Sequence, residues 1–105
     1  MVVQVVFRSV LRDDAQPEYG QTMARMDDLV DGMAGYLGSF SVRDPGTREG
    51  ITVVRFADEE SLAAWRTHAE HLMAQESGRQ RFYEWYELSV AREERRHDWH
   101  RETGA

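Results

Sequence analysis

Trp65, His68 and His71 follow one another at intervals of three, with Glu70 between the two histidines. They fall in a stretch where Leu62, Trp65, Ala69, Leu72 and Met73 recur at helical spacing. On one continuous helix His68 lies at the edge of that apolar face, one turn from Trp65, and His71 points further towards solvent. Histidine changes charge nearest neutral pH, so proton transfer beside an apolar surface is one chemistry this spacing offers. Metal ligation is the other, but Glu70 falls away from His68 and no further ligand stands close, so no metal site is expected. Trp65, on the apolar face of a helix, reads first as a core residue.

These side chains need a scaffold, and the rest of the chain describes one. Asp58 is a fair N-cap and Glu59 and Glu60 favour the positive end of a helix, which is expected to run to about Gln75 before Gly78 breaks it. Residues 2–10 are rich in Val and Phe, a first strand with apolar side chains on both faces. From Pro17, the apolar stripe Tyr19, Met23, Met26, Val30, Met33 predicts a first amphipathic helix, closed by Gly32 and Gly35. Residues 36–42 form a second strand that places Tyr36, Phe40 and Val42 on one face. Asp44-Pro45-Gly46 turns, and Ile51–Phe56 is a third strand across a long loop that includes Thr47 to Gly50. Phe82–Val90 is the fourth, with aromatics on both faces.

The order β-α-β-β-α-β predicts an α+β, ferredoxin-like domain over residues 1–92, with both helices on one face of a four-stranded antiparallel sheet. A second copy packing sheet against sheet would bury the other face, giving a homodimeric α+β barrel. Residues 93–105 are a charged tail in which Trp99 is the large aromatic.

Composition narrows the partners. The 105 residues suit one domain, and a net charge of −6 with no lysine argues against nucleic acid. The absence of cysteine removes disulfides, thiolate nucleophiles and thiolate metal sites. The N-terminus reads as a strand and not as a secretory leader, and no apolar run approaches the roughly 20 residues that span a bilayer. A cytoplasmic protein without membrane contact is the expectation. Arg8 and Arg55, in strands, invite an anionic ligand, although pairing with Glu84 or Glu87 across the sheet is the more ordinary reading.

Phe7-Arg8-Ser9, Gly35-Tyr36-Leu37-Gly38, Ala64-Trp65-Arg66 and the run His68 to Arg79, followed by Tyr83 and Tyr86, resemble the antibiotic biosynthesis monooxygenase family over essentially residues 1–92. The resemblance implies a pocket between helices and sheet with Trp65 beside the ligand. It further implies oxygenation of a phenolic, quinol or polyketide-like aromatic molecule without metal or flavin, the ionised substrate itself reducing oxygen. The protein then excludes water, orients the ring and removes a proton or stabilises the anion. On this reading His68 and Trp65 are the catalytic pair, and Phe7, Phe40, Ser61, Leu72, Gln75 and Tyr86 line the substrate. Haem-degrading members pair the tryptophan with an asparagine and a histidine. Phe7 and Gln75 stand at those positions here, and the chain has no asparagine. Haem binding is therefore the weakest of three readings, behind the oxygenase and a non-catalytic dimer that binds a small aromatic molecule.

Overall fold

The computed structural model describes residues 1–101. The elements run β1 (Val3–Leu11), α1 (Glu18–Asp31), β2 (Tyr36–Arg43), β3 (Glu49–Phe56), α2 (Glu59–Arg66), α3 (Ala69–Ser77), a π-helical turn (Gly78–Phe82) and β4 (Tyr83–Arg92). The strands form one antiparallel sheet in the order β2-β3-β1-β4, the ferredoxin-like arrangement. Among the described residues no helix is long and apolar enough to cross a membrane.

Pairing fixes which side chains share a face, because residues alternate along a strand. Successive rows on the helix side are Tyr36–Phe56–Val3, Ser39–Val54–Val5–Val90, Ser41–Thr52–Phe7–Leu88 and Arg43–Gly50–Ser9–Tyr86. The first rows carry the main core: Val3 and Phe56 pack with Met26 and Val30 of α1 and with Leu62 and Trp65 of α2. A second, separate core joins Leu11, Ala15 and Phe82, flanked by Tyr19 and Tyr83. The Phe7 and Ser9 rows lie between the two.

Three local features depart from the sequence expectation. The helix expected from Asp58 to about Gln75 is broken in two at Thr67 and His68. Thr67 turns its hydroxyl back onto the Ala63 and Ala64 carbonyls, and His68 is extended and caps the new helix with its ring, Nδ1 accepting the Glu70 N–H at 3.2 Å. In β2 the register shifts between Tyr36 and Gly38, a bulge that sends Tyr36 to the helix side and leaves Phe40 and Val42 on the opposite face. The β2–β3 loop is shorter than expected, since β3 begins at Glu49, and the Asp44 carboxylate ties it by accepting the Gly46 and Thr47 N–H groups.

The outer face of the sheet carries Phe40, Val42, Ile51 and Trp85, all open to solvent in the single chain. Beyond β4, Arg55 pairs with Glu93 at 3.0 Å, and the Glu93 N–H is donated to the Val2 carbonyl. Trp99 of the predicted tail is exposed, with Arg101 over its ring, and residues 102–105 of that tail lie outside the described residues.

Candidate functional site

The break between α2 and α3 resets the helical phase, and this decides which histidine faces inward. His71, expected towards solvent, lies against Trp65 with ring centroids 4.6 Å apart. His68 stands off at 5.8 Å with its Nδ1 engaged as the cap. The other nitrogen of His71, Nε2, is 3.1 Å from the Gln75 amide nitrogen. Its Nδ1 is buried with no partner. Whichever end of the Gln75 amide meets Nε2, Nδ1 is the atom left over. Burial, reinforced by neighbouring His68, lowers the His71 pKa below the usual histidine value and favours the neutral ring.

Trp65 itself is buried in the main core, so its packing role is real whatever else it does. Among the other expected ligand residues, Phe7 sits on the helix side, its ring 5.2 Å from Tyr86 and 5.4 Å from Tyr83. Glu84 has no partner on β1, a bulge that brings Tyr83 and Tyr86 to the same face. Gln75 is tied to His71, and Leu72 is half exposed on α3. Ser61 packs under Gly35, where a Cβ would come within 2.0 Å of its Oγ. Phe40 does not join them: the β2 bulge puts it on the opposite face of the sheet. Leu88 and Val90, on the helix side of β4, are about half exposed, so the helices leave that flank of the aromatic strip uncovered.

A group that the sequence reading passed over closes the far end of the strip. Arg43 lies half-buried against Gly50, where a Cβ would stand 2.6 Å from the guanidinium carbon. Its Nη2 donates to Ser9 Oγ at 3.0 Å and to the Tyr19 hydroxyl at 3.2 Å, and its Nη1 to the Ser9 and Arg48 carbonyls. Ser9 was legible as a polar residue among the inward-facing Val3, Val5, Phe7 and Leu11. Nothing in the sequence linked it to Arg43. Next to Tyr19, the Tyr83 phenol is pushed up by burial first and then by Tyr19, with Arg43 opposing. By contrast Arg8 is paired with Glu49 and Glu87, and Arg55 with Glu93, so each strand arginine already has a carboxylate partner.

Two open clefts are also present. One of about 340 Å³ runs between α1 and α3 past the Arg25–Glu70 ion pair, and one of about 600 Å³ lies at the β2–β3 end of the sheet. Neither is lined by Trp65, His68 or His71. Among the described residues no three acidic or histidine side chains are grouped to hold a metal ion.

The sequence profile of the antibiotic biosynthesis monooxygenase family matches residues 1–77. The chain belongs to that family. It is also 40% identical over 91 residues to the uncharacterized protein YqjZ of Bacillus subtilis, covering 87% of this chain and 78% of that one. Among solved structures it is similar to Rv0793 from Mycobacterium tuberculosis, with a TM-score of 0.81, 14% identity and 93% and 100% of the two chains covered. It is similar too to SnoaB, a cofactor-independent oxygenase from Streptomyces nogalater, with a TM-score of 0.76, 12% identity and 90% and 95% covered. At these identities the two structures speak for the fold. This member of the antibiotic biosynthesis monooxygenase family thus combines the family scaffold with a Trp–His contact on α2 and α3.

Proposed function

We propose that this chain is a cofactor-independent monooxygenase acting on a phenolic, quinol or polyketide-like aromatic molecule held on the helix side of the sheet. The observation that carries the reading is the buried, unpartnered His71 Nδ1 beside Trp65. An orphaned buried polar atom costs about 1–3 kcal/mol, and a substrate hydroxyl would relieve that cost. Family membership and the likeness to an oxygenase of the same fold support it.

In this scheme Trp65 forms the wall next to His71. With the Gln75 amide turned over so that its carbonyl accepts the Nε2 proton, Nδ1 is left bare to take the acidic proton of the substrate, a task for a neutral ring. The resulting anion gives electrons to dioxygen. One oxygen atom replaces two hydrogens at a ring carbon as a carbonyl, and the other leaves with those hydrogens as water, so no external reductant is needed. The working unit is a homodimer, its partner covering Phe40, Val42, Ile51 and Trp85. His68 acts here through the helix it caps.

Oxygen uptake by metal-free protein with anthrone and simple hydroquinones tests the reading. A fall of about a hundredfold or more in His71→Ala, with uptake retained in His68→Asn, is the expected result. The half-open strip at Leu88 and Val90 favours one alternative, a dimer that binds the aromatic molecule without turning it over. Thermal stabilisation by anthrone with no oxygen uptake would decide for it.

A further inference from the structure

Arg43 is a half-buried guanidinium to which no Asp or Glu pairs among the described residues, whereas Arg8, Arg25 and Arg55 each have a carboxylate. Its terminal nitrogens are held by neutral oxygens only: two carbonyls and the hydroxyls of Ser9 and Tyr19. A hydroxyl that accepts from a guanidinium has its own proton left to give. Ser9 is fully buried, so its hydroxyl serves to hold the guanidinium in place. Tyr19, edge-on to Tyr83 with ring centroids 5.9 Å apart, accepts from Arg43 at 3.2 Å and keeps its own proton to give. The result is a set of donors backed by an unneutralised positive charge, in a partly dehydrated place where such a charge acts strongly.

The position of these donors gives them an object. The Arg43–Gly50–Ser9–Tyr86 row adjoins the Ser41–Thr52–Phe7–Leu88 row, so they stand at the edge of the aromatic strip. We propose that Arg43 and Tyr19, with buried Ser9 holding the guanidinium, form an oxyanion nest that selects the ionised form of a phenolic or enolic ligand. The proposal rests on the reading that the ligand lies on the helix side of the sheet, and it narrows the ligand class to acidic aromatics. Gly50 belongs to the device, because only a residue without Cβ lets the guanidinium lie on β3.

The test uses two probes of nearly equal shape, para-nitrophenol, which ionises and changes colour, and para-nitroanisole, which cannot ionise. With the full-length protein, the bound nitrophenol should titrate at least one unit below the free probe, and its phenolate should bind at least tenfold more tightly than nitroanisole. Tyr19→Phe should reduce that preference threefold or more, Arg43→Met should abolish it and Arg43→Lys should keep part of it. If Arg43→Met does not fold, Tyr19→Phe decides. Equal binding of the two probes, or a preference unchanged in Tyr19→Phe, overturns the nest and leaves an aromatic pocket standing. Binding of neither probe overturns the pocket as well.

Discussion

The His71 ring lies tilted by 38° against Trp65, and this contact exists because α2 ends at Arg66 and a new helix starts after His68. Had the two helices been one, the wheel would have turned His71 towards water. The contact therefore depends on two short-range events, the Thr67 back-bond and the His68 cap.

Burial of His71 makes stability depend on pH. Its folded pKa is lowered, mainly by desolvation and then by His68, so the folded state binds fewer protons than the unfolded one. The stability it contributes is complete above the unfolded histidine pKa of about 6.5 and is lost as pH falls towards the lowered folded value. The titratable group acting on it is His68, while neighbouring Glu70 is paired with Arg25 of α1. Glu70, Glu93 and Asp58 have lowered pKa values and act in a more acidic window, below about pH 4.5. Urea midpoints at about pH 8 and about pH 5 should therefore fall further in the wild type than in His71→Leu. Parallel slopes in the two proteins would remove this role.

Capping by His68 predicts a different pattern. His68→Ala removes the acceptor for the Glu70 N–H and should destabilise by about 1 kcal/mol, whereas His68→Asn, which can cap in the same way, should lose only a fraction of that. Chemical denaturation of the two variants measures it. Equal losses would mean that the ring packs and does not cap.

Much of the scaffold was legible in the sequence because period and turn chemistry act locally. The apolar stripes gave α1 and the start of α2, and the β-branched runs gave all four strands, so the β-α-β-β-α-β order follows from the pattern alone. Faces were less legible. A single extra residue at the β2 bulge moved Phe40 and Val42 to the outer side, and a two-residue break exchanged the orientations of His68 and His71. Arg43, Ser9 and Tyr19 could not be associated beforehand, since they come from β2, β1 and α1 and meet only once the register is set.

The outer sheet face makes its own prediction. Phe40 and Val42 on β2 stand beside Val53 and Ile51 on β3, a contiguous apolar surface in the isolated chain. If a second copy covers it, Phe40→Asp should place a buried charge in the interface and shift the protein from dimer to monomer in light scattering. Stability at low protein concentration should change little, because Phe40 touches no core cluster. A wild type that is monomeric at micromolar concentration would end the sheet-to-sheet arrangement.

Gly35 and Ser61 couple the start of β2 to α2. Gly35 has φ +82°, and its carbonyl accepts the Ala57 N–H at 2.7 Å. A Cβ there would lie 2.0 Å from Ser61 Oγ and 2.5 Å from Ser61 Cβ. Gly35→Ala combines a left-handed backbone, about 1–2 kcal/mol for a residue with a Cβ, with overpacking of about 1–3 kcal/mol. Ser61→Gly removes both clashing atoms but not the backbone term. The double variant should therefore recover the steric part and stay about 1–2 kcal/mol less stable than Ser61→Gly alone, a non-additivity that a double-mutant cycle reads directly. Strict additivity would show that the backbone moves aside and that the two positions are not coupled.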